Sequence, residues 1–353
     1  MTKRVVVGMS GGVDSAVTAY LLKMKGYEVL GVTLRIVSEE GEVSRCCEID
    51  DARLVCDKLG IPYYVRNCSA RFSECVIDPF ITAYTEGRTP NPCVVCNRKI
   101  KWEELMLAAD SLGAELIATG HYAKVEKLPN GRYTVRNSSN LKKDQSYMLC
   151  RLSQEQLART IMPLGDLSKE EVRKIAEYAG LHVANKQDSQ ELCFVPDDEY
   201  AAYIEYRSGK HFPEGDFVDE EGNVLGRHKG IINYTVGQRK GLGIAAGHPI
   251  FVKEIDPEKN RVILVDEEKL YFPGCILKDV NYMGITEPED GTEFSALIKI
   301  RYHHSPVPAT FKREGDILHV TFDSPVKAVA PGQTGVVYDA EGNVLVGGEI
   351  ARK

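Results

Sequence analysis

The run Val5-Val6-Val7-Gly8-Met9-Ser10-Gly11-Gly12-Val13-Asp14-Ser15 decides the fold of this chain. Val5–Met9 reads as a short apolar strand, and Ala16–Lys25 reads as a helix. Between them stand two consecutive glycines, which let backbone N–H groups turn inward around an anion. The helix N-terminus adds partial positive charge, and Ser10 and Ser15 can donate hydroxyl hydrogen bonds. The loop is not a Walker A loop, because the lysine of G-x-x-x-x-G-K-[ST] is absent. A plain Gly-rich turn without a ligand accounts less well for the full hexapeptide in this strand-to-helix setting.

Strand and helix signals alternate outward from this loop. Glu28–Val37, Tyr63–Val65 and Leu116–Thr119 read as further strands. Asp50–Leu59 reads as a helix that Asp50 or Asp51 can cap, stopped by Gly60 and Pro62. Phe72–Glu86 reads as a helix that Pro79 should end or kink. Lys99–Leu112 is amphipathic and closes at Gly113. Ser168–Glu171 resembles a capping box, opening a helix that stops at Gly180. This alternation predicts an α/β fold with a doubly wound parallel sheet. Ligands of such sheets sit beyond the carboxyl ends of the strands, where the Ser10 loop, Leu34 and Gly120-His121 can converge. After about Pro196 glycine and polar turns multiply, with strands at Ile250–Ile255 and Arg261–Val265. Beyond Pro273 come evenly spaced short strands, Phe294–Tyr302, Val307–Lys312, Ile317–Phe322, Gly335–Tyr338 and Val344–Ile350, which predict a small β-barrel or sandwich. The expected division is a catalytic domain over 1–198, a small central α+β domain over 199–272 and a C-terminal β-barrel over 273–353.

The chain has 353 residues, 43% hydrophobic and 27% charged, as in globular domains that bury a sizeable core. No apolar run reaches bilayer length, and Met1–Arg4 leads into a strand with no apolar leader, so a cytoplasmic protein without membrane contact is expected. The net charge of −7 argues against non-specific nucleic-acid affinity but leaves room for a local basic patch. Of the 10 cysteines, Cys46, Cys47, Cys56, Cys68, Cys75, Cys150 and Cys275 lack ligand spacing, and Cys56 and Cys150 read as small core residues.

The second informative segment is Thr89-Pro90-Asn91-Pro92-Cys93-Val94-Val95-Cys96-Asn97-Arg98-Lys99-Ile100-Lys101. Two prolines stiffen the approach to two thiols spaced three apart, before a basic helix start. Thiolates there are stabilised by the helix N-terminus and by Arg98, Lys99 and Lys101. Taken alone, C-x-x-C is compatible with redox chemistry, half a zinc site or part of an iron–sulfur site.

Ser10–Ser15 resembles the SGGxDS pyrophosphate (PP) loop of the N-type ATP pyrophosphatases, which cleave ATP between the α- and β-phosphates. Gly8–Ser15, Thr89–Cys96, Thr119-Gly120-His121-Tyr122, Lys143-Asp144-Gln145-Ser146-Tyr147 and Asp188-Ser189-Gln190-Glu191-Leu192-Cys193-Phe194 stand in the order seen in bacterial tRNA-specific 2-thiouridylases. The resemblance spans the chain, through Tyr234–Gly241 to Arg301-Tyr302 and Pro331-Gly332-Gln333. It implies ATP-dependent thiolation, at C2, of the wobble uridine in tRNAs for Lys, Glu and Gln, releasing AMP and pyrophosphate.

The resemblance implies that Gly8, Met9, Ser10, Gly11, Gly12, Val13, Asp14, Ser15, Leu34 and Gly120 border ATP, with Asp14 helping to place Mg²⁺. It assigns catalysis to Cys96 and Cys193: Cys193 carries a persulfide from a cysteine desulfurase relay, and Cys96 releases the sulfur, leaving a Cys96–Cys193 disulfide. Asn91, Pro92 and Cys93 match the segment that touches the target base. His121, Lys143, Asp144, Gln145, Arg301, Tyr302 and Gln333 match contacts to the tRNA anticodon stem-loop. Many relatives carry Asp where Cys93 stands, assigned there as general acid/base. A thiol of pKa ~8.5 serves that role less well. Cys93, Cys96 and Cys193 together form a set that can hold a [4Fe–4S] cluster with one iron open to sulfide, and this route is slightly favoured over the persulfide one. Zinc with His121 as fourth ligand ranks lower.

The bland readings differ by residue. Arg301-Tyr302 alone would read as a solvated strand end, and Lys142-Lys143 as a solvated pair. His228, His303 and His304 read as ordinary surface or packing residues, and Trp102 as helix core. Gly237–Gly241 fits an RNA-facing loop or a simple turn. Two other readings stand beside thiolation at C2: a 4-thiouridine or lysidine synthetase of the same loop class, and a non-catalytic RNA-binding sulfur carrier. The cysteine triad disfavours lysidine synthetase, the expected lack of an N-terminal RNA-binding extension disfavours 4-thiouridine synthetase, and the intact ATP loop disfavours the carrier.

Overall fold

The computed structural model describes residues 3–36, 48–187, 192–195 and 199–351. Val37, the Cys46-Cys47 pair and the Asp188–Glu191 part of the cysteine motif lie outside them. The chain opens with β1 (Arg4–Gly8), α1 (Val13–Met24), β2 (Glu28–Arg35), α2 (Ile49–Leu59) and β3 (Tyr63–Asn67). Val5, Val6 and Val7 are fully buried, as a strand covered on both faces requires. Glu48, not Asp50 or Asp51, is the residue before α2; the two aspartates lie in its first turn, where their charge meets the helix dipole. Gly60, in the left-handed conformation, ends it.

Helical backbone next runs through α3 (Ser69–Phe72), a π-helical turn (Ser73–Ile77) and α4 (Asp78–Thr85). Pro79 does not end this run. It falls in the first turn of α4, and the wider turn before it accommodates the missing N–H. The helix expected from Lys99 starts earlier, as α5 (Pro92–Cys96), a π-helical segment (Asn97–Trp102) and α6 (Glu103–Ser111). Asn91 caps it, accepting from the Val94 N–H, and Pro92 fits the first helical position. The C-x-x-C therefore lies inside a helix.

Then come β4 (Leu116–Ala118), a hairpin of β5 (Ala123–Lys127) and β6 (Tyr133–Asn137), α7 (Gln154–Ala158), β7 (Thr160–Ile161) and α8 (Lys169–Tyr178). Ser168 and Glu171 form the expected capping box of α8. The parallel sheet has the order β3-β2-β1-β4-β7. Val5 and Val7 face a core shared with α1, α2 and α8, while Val6 faces one shared with α6.

The central segment contains α9 (Tyr200–Ser208), β8 (Gly215–Val218), β9 (Val224–His228), β10 (Ile250–Asp256) and β11 (Arg261–Asp266), its sheet ordered β10-β11-β8-β9. The last six strands are β12 (Tyr271–Tyr282), β13 (Glu293–Lys299), β14 (Val307–Glu314), β15 (Ile317–Lys327), β16 (Thr334–Tyr338) and β17 (Val344–Ala351). They close as a barrel, β12-β15-β14-β13-β16-β17. Pro273, read as a boundary, lies within β12 at a register shift between Phe272 and Gly274, where the ladder tolerates a residue without N–H. Met283, Val336, Tyr338 and Val344 share a core with Val6, Leu105 and Tyr147, so the barrel wall closes one side of the parallel-sheet domain. No helix among the described residues is long and apolar enough to cross a membrane.

Candidate active site

The loop after β1 is held open by its own backbone. Gly11 has φ +81°, and a Cβ on it would lie 2.5 Å from the Glu48 carbonyl oxygen. Gly12 precedes α1 without a side-chain cap, so the first-turn amides of α1 point toward the loop mouth. Ser15 is buried and braces the loop: its hydroxyl donates to the Gly12 carbonyl (3.0 Å) and accepts from the Ser10 N–H (3.2 Å). Gly120, after β4, packs directly on α1. A Cβ there would lie 2.8 Å from Asp14 C and 2.9 Å from Ser15 N. Glycine at both places lets backbone close in where a side chain would fill the cradle.

Two lysines missed by sequence reasoning stand beside this loop. Lys169, the first residue of α8, donates to both Asp14 carboxylate oxygens at 2.9 and 2.8 Å, and the Tyr122 hydroxyl donates to Asp14 Oδ1 at 2.7 Å. Lys186 donates to the Gly11 carbonyl (3.3 Å) and pairs with Glu48 and Asp51. The only signal for Lys169 was its place one residue after the capping Ser168. A loop of open amides with cations beside it fits the phosphates of ATP. The Asp14 carboxylate, which the resemblance placed at Mg²⁺, is held here by Lys169 and Tyr122.

The cysteines divide by burial. Cys93, in the first turn of α5, is exposed, whereas Cys96 is buried. Cys96 belongs to an apolar cluster with Ile36, Cys68, Phe72 and Ile100, against which Leu34, Cys75, Cys193 and Phe194 pack. Phe194 holds its segment in place through edge contacts to Phe72 (5.6 Å) and Phe80 (5.2 Å). Cys96 and Cys193, distant in sequence, thus meet in one cluster. Burial, with Glu104 nearby, pushes the Cys68 thiol up to about 12, which keeps it protonated and inert. The expected [4Fe–4S] set is not assembled: among the described residues no three His, Cys, Asp or Glu side chains are grouped to hold a metal ion. The same holds for zinc with His121. The physical reason is the helix itself, which directs Cys93 to solvent and Cys96 into the core.

The residues expected at tRNA also divide. Asn91 and Pro92 line a cavity of about 520 Å³ between α5 and the barrel, with Arg88, Arg98 and Arg151 on its walls. Arg301 is exposed and Lys143 partly so. Asp144 is buried and accepts from the Ser138 N–H (2.9 Å) and the Ser146 hydroxyl (2.7 Å). Gln145 Oε1 accepts from the Tyr122 N–H (2.9 Å), and Gln333 Nε2 donates to the Thr89 carbonyl (3.0 Å). Tyr302 donates to the Asp144 carbonyl (3.0 Å), and Lys299 lies over the Tyr147 and Tyr302 rings. In this structure Asp144, Gln145, Tyr302 and Gln333 are each tied into the fold by these hydrogen bonds. His121 rests on the Trp102 ring at 5.3 Å, with Nδ1 2.9 Å from Thr119 Oγ1. Burial, and secondarily Lys101, pull its pKa well below the usual histidine range, so it is neutral. Trp102 is fully buried core and donates to Thr160 Oγ1 at 2.8 Å.

Comparison with known proteins decides the family. Residues 3–197 match the family model described as the tRNA methyl transferase HUP domain, 202–266 the tRNA methyl transferase PRC-barrel domain, and 273–350 the aminomethyltransferase beta-barrel domain. The tRNA-specific 2-thiouridylase MnmA of Lachnoclostridium phytofermentans is 50% identical over 98% of this chain and 98% of its own length. The chain belongs to the tRNA-specific 2-thiouridylase family. The enzyme of that name from Clostridioides difficile is 48% identical over 100% of this chain and 99% of its own length. That from Clostridium botulinum (strain Alaska E43) is 46% identical over 99% and 97%. The family models carry methyl-transfer descriptions, whereas these full-length 2-thiouridylase relatives are named for thiolation.

Proposed function

We propose that this protein adenylates O2 of the tRNA wobble uridine with ATP and replaces that oxygen with sulfur through Cys96 and Cys193. One observation carries the reading. Leu34, at the carboxyl end of β2, packs against the cluster that holds Cys96 and Cys193, while the Ser10–Ser15 loop leaves the neighbouring strand β1. An anion cradle and two cysteines thus share the carboxyl edge of one sheet, where α/β sheets bind ligands.

The loop amides and the α1 N-terminus hold the β- and γ-phosphates, Lys169 keeps Asp14 oriented, and Mg²⁺ bound with ATP would offset charge on the leaving pyrophosphate. Uridine O2 attacks the α-phosphorus, and the P–O bond to pyrophosphate breaks. A sulfur-relay protein supplies a Cys193 persulfide, whose terminal sulfur attacks C2 and expels AMP. Cys96 thiolate then attacks Cys193 Sγ, and the S–S bond electrons stay with the sulfur left on C2. The products are 2-thiouridine and a Cys96–Cys193 disulfide, which an external thiol must reduce. The 1–198 region carries this chemistry, with 199–272 and 273–353 serving tRNA. The cavity beside Asn91 is lined by Arg88, Arg98, Lys99 and Arg151 and equally by Glu74, Asp78, Asp279 and Glu349, with Arg88 paired to Glu349 and Arg151 to Asp279, so phosphate contact there would draw on Arg98 and Lys99.

The test combines the purified protein, prepared without oxygen, with Mg²⁺-ATP, a tRNA for Glu and a persulfide donor. AMP, pyrophosphate and one 2-thiouridine per tRNA are expected without bound iron. Cys96→Ser and Cys193→Ser should retain tRNA-dependent pyrophosphate release and lose thiolation. Thiolation that persists in Cys193→Ser, or that requires protein-bound iron, rejects the route.

A further inference from the structure

The Gly11–Gly12 peptide is the least constrained link of the loop, because neither flanking residue has a Cβ to resist rotation of the peptide plane. A trans peptide points its C=O and its following N–H in opposite directions. Whatever fixes the Gly11 carbonyl therefore also fixes the Gly12 N–H. The Lys186 ammonium donates to that carbonyl at 3.3 Å. It is itself held by the Glu48 and Asp51 carboxylates, and His182 Nε2 lies 3.0 Å from Asp51 Oδ1. Its backbone is pinned as well: Arg173 donates to the Lys186 carbonyl at 2.8 Å and to the Ala184 carbonyl at 2.6 Å. Among the described residues the Gly12 N–H makes one contact, a long 3.4 Å approach to Ser10 Oγ.

We propose that Lys186 is a positioning residue for phosphate binding: by holding the Gly11 carbonyl outward it keeps the Gly12 N–H turned into the cradle beside the first amides of α1. This rests on the reading of the loop as an ATP site. Lys186 acts through the peptide and not as a phosphate ligand, since its ammonium already serves two carboxylates and a carbonyl. Glu48 and Asp51 aim the lysine, and Lys186 in turn cancels their charge beside an anion site.

The experiment measures binding of ATP, inorganic pyrophosphate and AMP to the full chain by calorimetry. Lys186→Met should weaken ATP and pyrophosphate about tenfold, the loss of roughly one well-placed hydrogen bond. AMP, which lacks the β- and γ-phosphates, should bind within about twofold of the parent. Lys186→Arg, which keeps the charge and donors, should recover most of the loss and shows that the position tolerates exchange. In nucleotide-free protein carrying isotope-labelled glycine, the Gly12 amide resonance should be single in the parent and doubled or broadened in Lys186→Met. An unchanged Gly12 resonance, or equal weakening of ATP and AMP, overturns the inference while the ATP reading stands. A parent protein that binds neither ATP nor pyrophosphate overturns both.

Discussion

Gly120→Ala is the sharpest test of how the site is built. The added Cβ would lie 2.8 Å from Asp14 C, 2.9 Å from Asp14 Cβ and 2.9 Å from Ser15 N. These atoms belong to the first turn of α1 and cannot swing aside like the end of a long side chain. Insertion into such a contact costs about 1–3 kcal/mol. That strain has two outlets. If α1 holds its place, the fold loses about 1–3 kcal/mol, seen as a lower urea midpoint at constant slope. If the start of α1 shifts, its amides leave the cradle and ATP binding falls by about tenfold per 1.4 kcal/mol. Urea unfolding and ATP calorimetry on one variant read both outlets, and their losses should sum to at least about 1 kcal/mol. A variant within about 0.5 kcal/mol in stability and about twofold in ATP affinity would refute the close packing of Gly120 on α1.

Three further outcomes follow from the charges and the barrel contacts. Lys169→Met leaves Asp14 with Tyr122 alone and an unneutralised carboxylate facing pyrophosphate; pyrophosphate release should fall at least about tenfold, with Lys169→Arg intermediate, measured as tRNA-dependent pyrophosphate formation. Burial works against ionisation of Glu104, but its hydrogen bonds to Arg66 and Arg71 win and lower its pKa. Its pairing therefore stabilises the fold above the ordinary carboxylate pKa and is lost as pH falls through the lower folded value, so Glu104→Gln should destabilise at neutral pH and converge with the parent in acid unfolding. His121, held neutral by burial, has the opposite origin but the same sign: below about pH 6.5 the unfolded chain takes up a proton that the native site refuses, so stability should fall, and His121→Gln should flatten that slope in pH-dependent thermal melts.

Where local pattern and long-range packing agreed, the sequence was readable. Three valines, two glycines and a following helix specify the strand, the turn and the parallel sheet, and the Ser168 capping box marks α8 to the residue. Cys56 and Cys150 are core, as their apolar settings implied. Pro79 follows a π turn in the first turn of α4, and Pro273 sits at a register shift within β12, each a place that tolerates a residue without N–H. The hairpin β5–β6 carries mixed polar residues and gave no clean alternation. Lys169 and Lys186 were invisible for a different reason. Nothing local marks a lysine as reaching a loop far away in sequence; only the return of α8 against α1 brings it there. The Cys93 triad failed on geometry: spacing of three counts residues, whereas a helix buries one of them and exposes the other.

The barrel grips the entrance to the cysteine helix. Thr89 N–H donates to the Pro331 carbonyl (2.8 Å), Gln333 reaches back to the Thr89 carbonyl, and Arg88 pairs with Glu349 at 2.8 Å. Asn91 and Cys93 follow within a few residues. The C-terminal strands therefore cannot be treated as a detachable module. A chain cut at residue 272 would lose its last 81 residues, 353 less 272, and also the anchor that sets where Asn91 begins the helix. Damage to a barrel strand should thus register first as a thiolation defect, and a barrel from another protein would serve only if it brought the same three-point grip.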